Sequence, residues 1–215
     1  SGMSLSPIFD DEFRGSLAEL LAWRRDVREF RSDPVPLAVL AKLLEQAARA
    51  PSVGNSQPSR FVIIRSAERR RALIAHVEAE QIAAGADYGA DKKAAYHRLK
   101  LHGLAQCPVA IAVYCEPDPA EGSGLGRKTM PEALVYSTVC AIHTMWLAAR
   151  AEGVGLGWVS ILEPATITEL LDVPRDWRFV GLLCLGYPQI EDDLPVLHKQ
   201  GWQGRLLVEA MVIER

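Results

Sequence analysis

The sequence predicts one domain of the α+β or α/β class, and three observations carry that prediction. The chain has 215 residues, which fits a single domain with a sizeable core. Hydrophobic residues make up 49% of the chain and charged residues 24%, as in ordinary globular proteins. Apolar residues at helical spacing alternate along the chain with short, continuous apolar stretches that are typical of buried strands.

Charge, hydropathy and cysteine usage exclude several classes of protein. The net charge is −3, and no basic stripe argues for nucleic-acid binding. No apolar stretch approaches the roughly 20 residues that cross a bilayer, and Ser1-Gly2 before Met3 is typical of a tag remnant. The four cysteines lie among apolar residues without a C-x-x-C pair, which favours buried, reduced thiols in a cytoplasmic protein over disulfides or zinc ligands. The histidines have no metal-ligand spacing, so no metal site is expected.

Capping signals predict where helices begin. Ser16-Leu-Ala-Glu19 is a capping box for a short helix, and Thr129-Met-Pro-Glu132 is a second one before a long helix that ends at Gly153. Because the long helix is apolar nearly all round, we expect it to be central. The remaining predicted helices begin near Pro36 and end before Pro51, begin at Ser66, run from about Asp87 to Gly103, and run from about Pro164 to Leu171.

Short apolar stretches predict five strands. These stretches are Arg60–Arg65, Val109–Cys115, Leu156–Leu162, Phe179–Leu185 and Leu206–Ile213. The last strand lies near the end of the chain and needs a free sheet edge, either on its own sheet or on that of a partner.

The segment from Trp23 to Arg28 concentrates three arginines and one aspartate. If the helix ends near Trp23 and the chain then extends, Arg24, Asp26 and Arg28 align on one side. The Asp33-Pro34 turn that follows favours this extended form. Guanidinium groups gathered in this way suit a phosphate or another anion. A solvated charged surface with internal ion pairs is the alternative.

Three further loops have compositions that are found in ligand-binding segments. The loop from Ala50 to Pro58 presents hydroxyl and amide groups that can bind the edge of a heterocycle, although turn chemistry favours the same residues. Gly122–Thr129 is a near miss to a P-loop, since Arg127 replaces a required glycine, and a flexible lid explains it better. Gly153–Ser160 joins a helix to a strand, whereas a dinucleotide-binding glycine loop joins a strand to a helix.

Taken in this order, the segments resemble the FMN-binding nitroreductase fold. The similarity runs from about Arg24 to Arg205, and further strings resemble the 5,6-dimethylbenzimidazole synthase branch, the flavin destructases. The strings that carry it are Arg-Arg-Asp-x-Arg-x-Phe, Ala-Pro-Ser-x-Gly-Asn-Ser-Gln-Pro, Tyr96–Gly103, Gly124–Glu132, Gly157–Leu162, Leu185–Pro188 and Gly201–Arg205.

This resemblance implies an architecture and an activity. The fold would be α+β, with a central mixed or antiparallel sheet flanked by helices, in a homodimer whose active sites lie at the interface. Residues 1–15 would be a tag remnant and extension, and residues 16–215 a single domain with a lid around 118–130. The enzyme would be an oxidoreductase that uses O₂ to break reduced FMN into 5,6-dimethylbenzimidazole, the lower base of vitamin B12, and erythrose 4-phosphate. FMN would be the substrate, and a separate NAD(P)H-dependent flavin reductase would reduce it.

The resemblance also implies roles for individual residues. Asp26 and Ser160 match the two positions closest to the chemistry, with Asp26 moving protons and Ser160 holding either the flavin N5 or a flavin-bound peroxide by a hydrogen bond. Ser59 is a departure, because the family commonly has an aromatic residue there. The residues implied to bind FMN are Arg24, Arg25, Arg28 and Arg205 at the phosphate and the pyrimidine side of the ring, Ser52, Asn55 and Gln57 at the ring edge and ribityl chain, and Lys100 and Gly157.

Two other functions stay open at this point. An NAD(P)H-dependent FMN nitroreductase would keep its flavin and shuttle hydride, and such enzymes usually have a non-acidic residue at the position of Asp26. A non-catalytic flavin-binding protein would bind FMN tightly without forming products.

Overall fold

A four-stranded antiparallel sheet forms the centre of the molecule. The computed structural model describes residue 2 and residues 4–215, so Ser1 and Met3 of the predicted tag remnant lie outside the described residues. The strands are β1 (Ser59–Ile63), β2 (Val109–Cys115), β3 (Gly155–Val159) and β4 (Arg178–Gly186). They pair in the order β1-β2-β4-β3, and every pairing is antiparallel. The predicted α+β class with an antiparallel sheet is therefore confirmed.

Helices cover both faces of this sheet. Among the described residues they are α1 (Asp11–Trp23), α2 (Leu37–Ala47), α3 (Ala67–Gly85), α4 (Ala90–His97), α5 (Ala133–Ala151), α6 (Pro164–Leu171) and α7 (Val196–Lys199). Helices α2 and α5 pack together on one face, and α3 and α6 lie on the other. No helix within the described part of the chain has the length and apolarity needed to cross a membrane.

Alternation along the central strands builds one apolar core on each side of the sheet. In β2, Ile111 and Val113 pack with residues of α2 and α5, whereas Ala112 and Tyr114 pack with residues of α3 and α6. Successive side chains of a strand point to opposite faces, so a strand that is buried on both faces is apolar throughout. This is why the continuous apolar stretch at Val109–Cys115 predicted a strand with the observed bounds.

Both predicted capping boxes are wrong. Helix α1 begins before Ser16, because Asp10 caps it with Oδ1, which accepts a hydrogen bond from the Phe13 backbone N–H at 2.8 Å. Helix α5 begins only at Ala133, and Thr129 does not cap it. The chain turns over Met130–Glu132 first, where the Ala133 N–H donates to the Met130 carbonyl at 3.0 Å.

Four other predictions need correction. Helix α4 ends at His97 rather than near Gly103, and β3 ends at Val159 rather than Leu162. The stretch Leu206–Ile213 is not a strand; it is exposed, contains a short 3-10 turn and pairs with no strand among the described residues. Cys140 is exposed, unlike the other three cysteines.

Helix α5 is central on one side only. Its buried residues face the sheet and α2, as predicted, but a stripe at helical spacing is open to solvent. This α5 stripe consists of Tyr136, Val139, Cys140 and His143. An apolar stripe of this kind on a two-sided helix is typical of a surface that is covered in an assembly.

Candidate active site

The arginine-rich segment leaves α1 in an extended form, as the sequence favoured. Arg24 caps the helix with φ −70° and ψ 114°. Asp26 then forms a parallel bridge with Leu156, and the Val27 N–H donates to the Leu156 carbonyl at 3.0 Å. Residues 24–28 therefore lie along the edge of β3.

Asp26 is held by two hydrogen bonds, one to each carboxylate oxygen. Its Oδ1 accepts from the Trp158 backbone N–H at 2.9 Å, and its Oδ2 accepts from Arg28 Nε at 2.7 Å. The Asp26 side chain is 29% exposed and that of Arg28 13%. Charge-assisted bonds of this length fix a carboxylate in place, so Asp26 is oriented while part of it stays accessible.

Gly157 permits the close approach of this segment to β3. A Cβ at Gly157 would lie 2.3 Å from the Val27 carbonyl oxygen and 3.6 Å from Asp26 Oδ1. The absence of a Cβ at Gly157 thus makes room for the backbone of residues 26 and 27. Contact between Gly157 and a ligand stays a prediction.

Arg28 also links the segment to Lys100. Its Nη1 donates to the Lys100 carbonyl at 3.0 Å. Lys100 Nζ lies 3.1 Å from Gln106 Oε1 and 3.9 Å from Glu29 Oε1. Lys100, Arg28 and Asp26 consequently border the same cavity.

Positive charge is concentrated beside Asp26. The Arg24 guanidinium lies 4.6 Å from the centroid of the Trp146 ring, and Trp146 Nε1 donates to the Arg25 carbonyl at 3.1 Å. Burial lowers the pKa of Arg24, and the charge of Arg205 lowers it further. Burial, then Arg24, then Arg205 lower the pKa of Arg25. Burial is the larger cause in both cases and nearby carboxylates oppose the shifts, so these directions show that Arg24, Arg25 and Arg205 lie close enough to interact.

A cavity of about 250 Å³ is bordered by Arg25, Asp26 and Arg28. Its lining also includes the apolar side chains of Trp146 and Leu156. Ligand sites typically combine an apolar wall with a few oriented polar groups and measure roughly 300 to 1,000 Å³. One chain therefore supplies a site of the right composition that is slightly small for a nucleotide-sized ligand.

The loop that carries Ser52, Asn55 and Gln57 lies at the opposite end of α5. The Val53 N–H donates to Ser137 Oγ at 2.9 Å near the start of that helix. The arginine segment contacts the same helix at Trp146, nine residues later, which is about 14 Å along the helix axis. The structure of one chain does not bring these two groups of predicted site residues together.

This loop is rigid and strained. The Gln57 N–H donates to Ser52 Oγ at 3.1 Å, and Gln57 Nε2 donates to the Asn55 carbonyl at 3.1 Å. Asn55 and Gln57 have φ of +54° and +49°, a conformation that is uncommon outside glycine and clusters at functional sites. Ser56 Oγ is buried without a hydrogen-bond partner among the described residues, which is unusual for a buried hydroxyl.

The remaining predicted positions lie around these two groups. Ser160 is exposed, directly after the end of β3 and two residues beyond Trp158, and it does not line the cavity. Ser59 is satisfied within the chain, since its Oγ donates to Thr138 Oγ1 at 3.3 Å. Within the predicted lid, Gly122 approaches the Gly54 carbonyl so closely that a Cβ would lie 2.4 Å from it, so the lid packs against the strained loop.

Sequence reasoning missed two groups that shape the site. Trp146 was interpreted only as an apolar residue of the long helix, yet its ring makes a cation–π contact with the Arg24 guanidinium. The Trp158 backbone N–H that fixes Asp26 has no signature in the sequence, because backbone donors are positioned by strand pairing alone. Across the described residues, no cluster of three or more His, Cys, Asp or Glu side chains could hold a metal ion.

The sheet, the extended arginine segment and the strained loop define a class of protein. The chain belongs to the nitroreductase family, whose model matches residues 21–187. Within that family it is similar to curated 5,6-dimethylbenzimidazole synthases. It is 50% identical to the one from Rhodospirillum rubrum over 203 residues, covering 94% of this chain and 96% of that protein. It is 48% identical to one from Rhodobacter capsulatus over 201 residues, covering 94% and 97%.

A solved structure agrees with this fold. Iodotyrosine deiodinase bound to FMN and 3-iodo-L-tyrosine superimposes with a TM-score of 0.70 at 23% identity, covering 82% of this chain and 91% of that one. The likeness supports the fold, and the resemblance that the sequence motifs predicted is confirmed.

Proposed function

We propose that this chain is an oxidoreductase that uses O₂ to cleave reduced FMN into 5,6-dimethylbenzimidazole and erythrose 4-phosphate. The observation that carries the proposal is the similarity to synthases of that base over 94% of the chain. The site adds a chemical reason, because an oriented carboxylate lies beside a group of arginines at the mouth of a partly apolar cavity.

The residues present fit FMN. Besides burial, Arg205 lowers the pKa of both Arg24 and Arg25, so these three groups lie close enough to interact, and guanidinium groups suit a phosphate because they bind its oxygens in pairs. The apolar residues that line the cavity, Trp146 and Leu156 among them, suit a flat ring. When bound, reduced FMN would supply the electrons for O₂ and the carbon skeleton of the product.

Asp26 is the residue that we assign to proton transfer. Each of its oxygens already accepts one hydrogen bond, but a carboxylate oxygen has a second lone pair that can take a proton. Arg28 and the Trp158 N–H keep that carboxylate in one orientation, which general-base catalysis requires. Ser160, just beyond the same strand, would supply a hydrogen bond to the ring.

A homodimer would complete the site. One chain holds its arginine group and its Ser52–Gln57 loop at different ends of α5, and its cavity is small for FMN. If two chains pair through the α5 stripe with the helices antiparallel, the loop of one chain approaches the arginines of the other. This arrangement accounts for the exposed Tyr136 and Val139 and places each site at the interface.

We expect a separate NAD(P)H-dependent flavin reductase to supply reduced FMN, in the cytoplasm. The direct test is to reduce FMN without oxygen, add the protein and then admit air. Chromatography should detect 5,6-dimethylbenzimidazole and erythrose 4-phosphate. A nitroreductase would instead consume NAD(P)H and reduce a nitroaromatic compound, and a flavin-binding protein would return intact FMN.

A further inference from the structure

The segment that carries Arg205 buries none of its residues against the rest of the chain. Every residue from 203 to 215 is exposed, whereas Trp202 is half-buried. Trp202 is thus the last half-buried residue of the chain, and beyond it the Gln203 N–H donates to the Leu197 carbonyl at 3.3 Å. Arg205 follows three residues later, so its Cα lies within about 10 Å of that of Trp202.

Trp202 is held from two sides. After α7, Gly201 turns the chain with φ +70°, and the Trp202 N–H donates to the Leu197 carbonyl at 2.8 Å. On the other side, Lys92 of α4 places its Nζ 3.8 Å from the centroid of the Trp202 ring and 3.3 Å from the Trp202 carbonyl oxygen. One ammonium group therefore contacts both the ring and the backbone of this residue.

Tyrosine rings complete the packing around Trp202. The Tyr88 ring meets it edge-on, with centroids 5.5 Å apart, and the Tyr96 ring lies 6.5 Å away. Tyr96 is itself fixed, because its hydroxyl donates to the Gln81 carbonyl at 2.6 Å. Aromatic pairs of this geometry add to the stability of a contact, so the Trp202 side chain packs in a defined position against α4.

We propose that Lys92 and Trp202 are positioning residues for Arg205, which they hold beside Arg24 and Arg25 so that the phosphate of FMN can be bound. The inference rests on the proposed function, in which Arg205 contacts that phosphate. Ordering an exposed arginine costs conformational entropy. A preformed contact at Trp202 reduces the entropy that is lost when FMN binds. Besides burial, the charge of Arg205 lowers the pKa of Arg24 in the absence of any ligand, so the two groups lie close enough to interact before a ligand binds.

The test compares reduced FMN with reduced riboflavin, which has the same ring and ribityl chain but no phosphate. Dissociation constants are measured by anaerobic titration for the wild type, Lys92→Met and Lys93→Met. Lys93 is a matched control, since it is exposed on the same helix and does not contact Trp202. Lys92→Met should weaken FMN binding roughly three- to fivefold, the range of an exposed cation–π contact, and leave riboflavin binding unchanged. Lys93→Met should change neither.

Three further measurements separate positioning from a general structural role. Lys92→Met should raise KM for reduced FMN without changing kcat. Trp202→Phe, which keeps a ring beneath Lys92, should bind FMN better than Trp202→Leu. Combining Lys92→Met with Arg205→Ala should cost no more than Arg205→Ala alone, because the two act through one contact.

Different results would contradict the role of Lys92 and the phosphate-binding role of Arg205. If Lys92→Met weakens FMN and riboflavin binding equally, or weakens neither, Lys92 does not position a phosphate ligand. If the wild type itself binds FMN no better than riboflavin, the fault lies with the phosphate-binding role of Arg205 and not with the contact between Lys92 and Trp202.

Discussion

Asp26 shows how a single residue can join the fold to the chemistry. Its carboxylate pairs with Arg28 two residues later and with the Trp158 N–H of β3, so the same group closes the edge of the sheet and faces the cavity. The run of arginines was visible in the sequence, and the extended segment predicted there is confirmed, while anion binding by these arginines stays a prediction. The hydrogen bond from Trp158 was not predictable, because it depends on strand pairing between residues 132 positions apart.

Asp26→Asn should separate binding from catalysis. The amide oxygen can still accept from the Trp158 N–H, but the amide group cannot take a proton. We expect FMN affinity to change less than tenfold and product formation to fall by at least about 10²-fold, the usual contribution of a positioned acid or base. Anaerobic titration measures the affinity and single-turnover product analysis measures product formation, with Asp33→Asn at the exposed Asp33–Arg31 pair as the control. Near-normal turnover in Asp26→Asn would reject the assigned role.

His102 should make stability depend on pH. Its Nδ1 accepts from the Leu104 N–H at 3.2 Å, and burial, aided by the charge of Lys100, lowers the pKa of His102 below its ordinary value of 6.5. A lowered folded-state pKa means that the unfolded chain takes up the proton first. The stabilisation from neutral His102 is thus present above about pH 6.5 and lost as the pH falls towards the folded-state pKa.

Urea unfolding at several pH values between about 8 and 5 tests this expectation. The midpoint of the wild type should fall more steeply below pH 6.5 than that of His102→Gln, while the exposed His97→Gln should follow the wild type. Parallel curves for the wild type and His102→Gln would contradict the assignment.

At the scale of elements, the edge of β3 organises the site. The extended segment 24–28 lies on that edge, and Gly157 lets the two backbones meet. Helix α5 holds the chain there, since Trp146 donates to the Arg25 carbonyl and Arg150 to the carbonyl of Trp23 just before the segment. The sequence predicted these elements because buried strands and helices have strong apolar patterns. Their ends were less predictable, since Asp10 outcompeted Ser16 as a helix cap and a turn at Met130 displaced the start of α5.

Gly157→Ala should loosen this edge. Its Cβ would lie 2.3 Å from the Val27 carbonyl oxygen, a backbone atom that cannot rotate away. We expect a loss of about 1–3 kcal/mol in the free energy of unfolding and a larger relative loss of product, because Asp26 moves with the displaced segment. Gly15→Ala is the control, as nothing lies within 4 Å of its Cβ in α1 and alanine favours helices. If Gly157→Ala retained wild-type stability and activity, the close packing would have no role in the site.

At the scale of the whole molecule, we propose that the exposed apolar surfaces pack against a second chain. The sequence predicted that α5 would be central because it is apolar nearly all round, and one chain leaves a stripe of it exposed. It also predicted a final strand at Leu206–Ile213 that would need a sheet edge, and this segment stays exposed. Neither outcome follows from local patterns, because a residue that is covered by a partner has the same composition as one that is covered by its own core.

Tyr136→Asp should convert a dimer into a monomer. Tyr136 is 56% exposed on the α5 stripe, and an unpaired charge at the centre of an interface is strongly unfavourable. Light scattering should give twice the chain mass for the wild type and the chain mass for the variant, which should also lose FMN binding. Ile82→Asp is the matched control, being 70% exposed on α3, and should remain dimeric. A monomeric wild type would contradict the interface site.

The central claim is tested most directly by a single-turnover experiment. FMN reduced under nitrogen is mixed with excess protein, air is admitted, and the quenched mixture is separated by chromatography. The wild type should convert FMN into equal amounts of 5,6-dimethylbenzimidazole and erythrose 4-phosphate, and Asp26→Asn should not. Recovery of all the flavin as intact oxidised FMN with hydrogen peroxide in the wild type would contradict the proposed function.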